Sequence, residues 1–106
     1  MITLDMVEEG IRNGKIRLVT DPNMERGTVC QIGDCWFYFG GETAEEMGPE
    51  EYRQNVPEVD IAREVFDVLK CFQQDGGMFL DEYDYYEAYL REGAVQSSEC
   101  KVTSLV

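Results

Sequence analysis

Apolar residues near the start of the chain recur at helical spacing. Leu4, Val7 and Ile11 lie three and four positions apart, which places them on one face of an α-helix. Thr3 can cap the first turn, and Gly14 can end the helix in the left-handed conformation that glycine adopts easily. The spacing therefore predicts a first amphipathic helix. The alternative is that the Asn-Gly pair at its end forms a two-residue hairpin turn.

The pattern then changes to the alternation that is typical of β-strands. Residues 15–20 alternate between two faces and meet a strong turn signal, Asp-Pro-Asn, at 21–23. Two further runs, 28–32 and 35–39, flank the dipeptide Gly33-Asp34, which suits a tight two-residue turn. The alternation predicts three antiparallel strands, of which the second and third form a hairpin.

The two-residue turn determines which side chains of the hairpin share a face. One face is nearly all apolar and is predicted to meet the helices; it carries Thr28, Cys30, Ile32, Cys35, Phe37 and Phe39. The opposite face pairs Gln31 with Trp36 and Val29 with Tyr38. The rings of Trp36 and Tyr38 are either covered by another element or left partly exposed for a partner.

Helical patterns follow the strands. Thr43 and Glu46 form a capping box that predicts a short helical turn, and Pro49 is placed to begin a second one. Residues 58–74 are predicted to form the main helix, because six apolar residues fall within one arc. These are Ile61, Ala62, Val65, Val68, Leu69 and Phe72. The acidic row on the opposite side is largely neutralised by two basic residues of the same helix.

The last predicted helix begins with Asp81 as its N-cap and ends at about Glu92, before Gly93. Its inward stripe is formed by Phe79, Tyr83, Tyr86 and Leu90. The remaining aromatic and acidic residues are predicted to project away from the core. These are Asp81, Glu82, Tyr85, Tyr89 and Glu92, with Asp84 and Glu87 on the flank. The alternative is that Tyr85 and Tyr89 pack under the short helix at 43–52 or under the tail.

Together the elements predict one α+β domain over residues 1–106, of a length that suits a single core. An N-terminal helix precedes a three-stranded antiparallel sheet, and a C-terminal helical pair packs on one face of that sheet. Residues 93–106 lose the helical spacing and are expected to be a docked tail or an extra strand.

The acidic charge is concentrated in the second half of the chain. The formal net charge is -13, and residues 42–92 hold fifteen acidic residues against four basic ones. Such a chain should repel nucleic acids and anionic membranes and should attract a basic protein surface. The alternative is that the acidity serves solubility. The N-terminus has neither a basic region nor a long apolar run, so we expect a cytoplasmic protein that spans no membrane.

The residue types present exclude several chemistries. The chain has no histidine, so Ser-His and Cys-His nucleophile pairs and histidine-ligated metal sites are ruled out. In the reducing compartment expected for this chain, the four cysteines are predicted to be small, mostly buried hydrophobes, and no disulfide framework is implied. Cys30 and Cys35 are poorly spaced for a metal knuckle. No phosphate-binding glycine motif or calcium-binding loop fits the sequence. We therefore expect no cofactor, no metal and no enzymatic activity.

The acidic, tyrosine-rich run at residues 81–87, Asp-Glu-Tyr-Asp-Tyr-Tyr-Glu, follows a helix, three antiparallel strands and further helices. This layout resembles that of the DNA-mimicking anti-CRISPR inhibitors of RNA-guided nucleases. The resemblance implies that acidic side chains occupy a basic site which otherwise receives DNA. The insertion at 43–52, the longer tail and the rings of Trp36 and Tyr38 depart from that pattern. More generally, the chain resembles uncharacterised small acidic accessory proteins of bacterial mobile elements.

The leading hypothesis is a non-enzymatic module that presents the acidic, aromatic face of its last helix to a basic protein surface. The more specific version of this hypothesis is that the module mimics a nucleic acid. The predicted partner-binding residues are Asp81, Glu82, Asp84, Tyr85, Glu87, Tyr89 and Glu92, with Trp36 and Tyr38 of the hairpin. The alternative is a structural or self-associating accessory protein whose exposed rings form a contact between copies.

Overall fold

The predicted α+β class is confirmed. The computed structural model describes residues 1–74 and 80–92. The elements in chain order are α1 (Leu4–Asn13), β1 (Ile16–Thr20), β2 (Thr28–Ile32), β3 (Cys35–Phe37), α2 (Gly41–Glu46), α3 (Pro49–Asn55), α4 (Glu58–Gln74) and α5 (Leu80–Glu92). The strands form one antiparallel sheet in the order β1-β2-β3. The predicted tail at 93–106 and Phe79 lie outside the described residues.

Helix α1 has the predicted ends. The Thr3 hydroxyl accepts a hydrogen bond from the Met6 backbone N–H at 3.2 Å, which satisfies one of the free donors of the first turn. Gly14 follows the helix with a φ of 86°, a conformation that glycine adopts without steric cost. The alternative hairpin turn at this position is therefore excluded.

The hairpin register agrees with the prediction next to the turn and departs from it further away. Ile32 pairs with Cys35 and Cys30 pairs with Phe37, as a two-residue turn requires. The predicted pairing of Tyr38 and Phe39 with β2 is wrong, because β3 ends at Phe37. The chain leaves the sheet there, and the Phe39 ring packs edge-on against Tyr52 of α3, with ring centroids 5.6 Å apart.

The apolar face of the sheet forms the core with α1, α4 and α5, as predicted. Phe37 is its central ring, 5.3 Å from Phe72 and 5.4 Å from Tyr86 between centroids. Burial of these rings and of the aliphatic side chains around them supplies the main driving force for folding. The buried side chains of this core include Val7, Ile16, Leu18, Cys30, Ile32, Cys35, Ile61, Ala62, Val65, Leu69, Tyr83 and Leu90.

Two predicted helix starts are wrong. Helix α2 begins at Gly41, after Gly40 in the left-handed conformation, and has no side-chain cap. The predicted capping box at Thr43 and Glu46 is absent, because the N-cap is Gly40, three residues before Thr43. Helix α5 includes Leu80, so Asp81 lies inside its first turn and is not the N-cap. The start of α3 at Pro49 is as predicted.

None of the helices in the described ranges is both long and apolar enough to span a bilayer.

A candidate partner-binding face at the hairpin turn

Two tyrosines of α5 lie over the turn between β2 and β3. Tyr85 and Tyr89 are one helical turn apart, and their ring centroids are 6.1 Å from each other. The Tyr85 hydroxyl accepts a hydrogen bond from the Asp34 backbone N–H at 3.0 Å. Both rings are partly buried against the core. The prediction that they project freely is therefore wrong, because the turn covers part of both rings.

Gly33 makes this close approach possible. Its φ is 64°, and no non-glycine residue in the described ranges has a positive φ, so the turn follows the type II′ pattern with glycine at its first central position. A Cβ atom at Gly33 would overlap the Tyr85 hydroxyl and lie 2.9 Å from Tyr85 Cζ and 3.0 Å from Tyr89 Cδ2. The absence of a side chain lets the two tyrosines rest directly on the backbone.

Exposed carboxylates flank this tyrosine pair. Asp84 and Glu92 lie two helical turns apart on the stripe of α5 next to Tyr85 and Tyr89, and both are exposed. Asp34, in the turn itself, is exposed too. None of these three carboxylates forms an ion pair within 4.0 Å with a basic residue of the described ranges. We call these five residues the tip face.

Asp34 is the member of the tip face that the sequence did not indicate. The turn was predicted, but Tyr85, which contacts Asp34 in the structure, lies 51 positions further along the chain. Local spacing carries no information about which helix a hairpin turn meets. Of the predicted site residues, the side chain of Asp81 falls outside the described part of the structure.

Glu82 is buried, which contradicts the prediction that it projects away from the core. It retains 2% exposure, and neither carboxylate oxygen has a hydrogen-bond partner in the described ranges. The buried Tyr86 hydroxyl, one turn along the same side of α5, lacks one as well. The physical reason is that α5 packs against α1, α4 and the hairpin at once. The buried arc of the helix is therefore wider than the predicted inward stripe, and it includes Glu82.

Glu87 is partly buried and already paired. Its Oε2 accepts hydrogen bonds from the N-terminal ammonium of Met1 and, at 3.2 Å, from Arg91 Nε. The bond to the ammonium group holds the pKa of Glu87 below its ordinary value, and Arg91 lowers it further, while partial burial opposes both. Glu87 therefore carries a compensated charge, and it is a weaker candidate for partner binding than Asp84.

We expect Glu87→Gln to lower the free energy of unfolding by up to about 1 kcal/mol at neutral pH. Because the pKa of Glu87 is lowered in the folded state, its contribution is present above its ordinary unfolded value and is lost as the pH falls through the lowered pKa. Urea unfolding of wild type and variant at several pH values between pH 7 and pH 3 measures this difference. The control is Glu92→Gln on the same helix. A difference that persists at the acid end would contradict this assignment.

Trp36 and Tyr38 form a second, separate aromatic pair on the other face of the hairpin. Their rings meet edge-on with centroids 5.3 Å apart. Tyr38 is 48% exposed, and its hydroxyl accepts a hydrogen bond from the Asn23 side chain at 3.2 Å. Trp36 is partly buried. No ring contact within the described residues joins this pair to Tyr85 and Tyr89, so the predicted site residues form two patches.

The cysteines agree in part with the prediction. Cys30 and Cys35 are buried, whereas Cys71 is exposed. Burial raises the pKa of the free Cys30 thiol, which makes it a poor nucleophile. Cys35 is disulfide-bonded, which the expectation of reduced cysteines did not include. Within residues 1–74 and 80–92, no group of three or more acidic or cysteine side chains is placed to hold a metal ion.

Comparisons with known proteins return no match: neither a family model, nor a curated protein, nor a solved structure is similar to this chain.

Proposed function

We propose that this chain is a non-enzymatic binding module whose tip face docks on a basic protein surface. The observation that carries the proposal is a combination of two features. Asp34, Asp84 and Glu92 are exposed and form no ion pair with a basic residue of the described ranges, and the turn holds the tyrosine pair in place. Tyrosine rings with restricted motion supply contact area at low entropic cost, and the carboxylates steer a basic partner. The net charge of -13 acts in the same direction.

In its most specific form, the proposal is that the tip face substitutes for nucleic-acid phosphates in a basic groove. A groove that binds phosphates through Lys and Arg also attracts carboxylates, and aromatic rings can occupy positions where bases stack. Binding of phosphates and of carboxylates to such a groove weakens steeply as salt is added, because salt screens the charges. The chain itself is not expected to bind nucleic acid.

The test is affinity capture from a lysate of the source cell at low and at moderate ionic strength. We expect a basic protein to be retained at low salt and released at moderate salt. The triple variant Asp34→Asn, Asp84→Asn, Glu92→Gln should weaken binding of the captured protein by about tenfold or more, mainly through slower association.

A matched control removes the same number of charges elsewhere. Glu42, Glu45 and Glu46 are exposed residues of α2, and their replacement by Gln changes the net charge by the same amount. If this control weakens binding as much as the triple variant does, general acidity and not the tip face governs recognition. If no basic protein is retained at low salt, the proposal fails.

Self-association is the second candidate function, and the exposed Tyr38 beside Trp36 favours it. A sedimentation series over protein concentration distinguishes the two candidates. A stable dimer that is disrupted by Tyr38→Ser supports self-association through the sheet face. A dimer that buries Tyr85 and Tyr89 instead would contradict partner binding at the tip face.

A further inference from the structure

A cleft of about 440 Å³ lies where the ends of α1 and α3 meet β1 and the start of α4. Its floor is apolar and is formed by the buried side chains of Ile16, Leu18 and Ile61. Pockets that hold small molecules in proteins typically measure about 300–1,000 Å³ and combine apolar walls with a few placed polar groups. The volume of this cleft and its apolar floor fall within this description.

Two arginines stand at the rim of the cleft. Arg53 Nη2 donates a hydrogen bond to the Leu18 backbone carbonyl at 3.2 Å, which ties the guanidinium group to strand β1. A guanidinium has five N–H donors, so most of them remain available to a ligand. Neither Arg53 nor Arg12 forms an ion pair within 4.0 Å with a carboxylate of the described ranges. Two cations that lack an ion pair in the described ranges, beside one apolar floor, are unexpected in so acidic a chain.

From this arrangement we infer that the cleft binds a small amphipathic monocarboxylate. The apolar body of the ligand lies on Ile16, Leu18 and Ile61, and its carboxylate accepts hydrogen bonds from Arg53. Arg12, which lines the same cleft, adds electrostatic attraction. Hydrogen bonds between a guanidinium and a carboxylate are charge-assisted and often bidentate, which makes arginine a selective receptor for this group.

Glu58 also lines the rim and limits what can bind. A second negative group on the ligand would be repelled, so dicarboxylates are disfavoured. An ammonium group next to the carboxylate would instead be attracted to Glu58. Fatty acids and apolar amino acids share the required chemistry, and they differ in whether they use Glu58.

The test is an NMR titration of the ¹⁵N-labelled full-length chain with sodium octanoate and, separately, with L-leucine. We expect saturable shifts at the residues that line the cleft for at least one of the two probes. Tighter binding of octanoate indicates a simple carboxylic acid, and tighter binding of leucine assigns Glu58 to the ammonium group. Octan-1-ol, which lacks the charge, should bind at least about tenfold more weakly than octanoate, and methyl leucinate should do so relative to leucine.

Variants separate recognition from non-specific effects. Arg53→Met should weaken binding by about tenfold or more, and Val56→Trp should obstruct the cleft without changing any charge. Arg17→Met is the matched control, because Arg17 is exposed on the opposite face of β1, and it should leave binding unchanged. The inference is overturned if neither probe gives saturable shifts, if the two probes that lack a carboxylate bind as well as octanoate and leucine, or if Arg17→Met weakens binding as much as Arg53→Met. These outcomes do not bear on the tip face, which shares no residue with the cleft.

Discussion

Replacing Gly33 with alanine is expected to lower the free energy of unfolding by about 2–4 kcal/mol. Two costs combine. A Cβ atom is disfavoured at a φ of 64°, and it would also overlap the Tyr85 hydroxyl and crowd Tyr89 at 3.0 Å. The two tyrosines must move away from the turn, and the hydrogen bond from the Asp34 N–H is lost. Urea unfolding followed by circular dichroism measures the change.

Gly14→Ala is the matched control for this prediction. Gly14 has a similar positive φ of 86°, but no atom lies within 4 Å of the position that its Cβ would occupy. Its replacement should cost about 1 kcal/mol, from backbone conformation alone. Adding Tyr85→Phe to Gly33→Ala removes the overlapping hydroxyl and should recover part of the loss in a double-mutant cycle. Equal costs at the two glycines would mean that the tyrosines do not rest on the turn.

Replacing Glu82 with methionine is expected to raise the free energy of unfolding by about 1–3 kcal/mol. The carboxylate retains 2% exposure and has no hydrogen-bond partner in the described ranges, so the folded state bears the cost of removing it from water. Methionine has a similar length and an unbranched, adaptable side chain, so it can fill the same space. Urea unfolding at neutral pH measures the gain.

The control is Glu92→Met, which removes one negative charge from an exposed position of the same helix. At a net charge of -13, any such removal reduces repulsion within the folded chain, and the control measures that contribution. We expect it to stay within about 0.5 kcal/mol. A loss of stability on replacing Glu82 would show instead that its carboxylate makes a favourable interaction.

The parts of the fold that were predictable from sequence are those with a local cause. The Gly33 turn, the register beside it and the Thr3 cap all follow from residues within a few positions of each other. The early end of β3 was not predictable, because it depends on the Phe39 ring reaching Tyr52. The start of α2 was missed because a left-handed Gly40 competed with the capping signal of Thr43.

The candidate site was harder to predict, since it is made by packing. A helical wheel gives the relative directions of the side chains of Tyr85, Tyr89 and Glu82 around the helix axis. It does not show how many other helices and strands pack around the helix. Here α5 is covered on several sides, so Glu82 is enclosed and the tyrosines meet the turn. The predicted exposure of Asp84 and Glu92 is confirmed, because they lie on a side of α5 that no other element of the described residues buries.

The contacts between the first residues and the last described helix also constrain the order of folding. The buried Ile2 backbone N–H donates to the Tyr83 hydroxyl at 2.7 Å, across 81 positions of chain. Helix α1 and the hairpin can form early from local contacts, whereas this bond forms only after α5 has been synthesised and has docked. During translation, the packing of the N-terminal segment can therefore be completed only after α5 has left the ribosome.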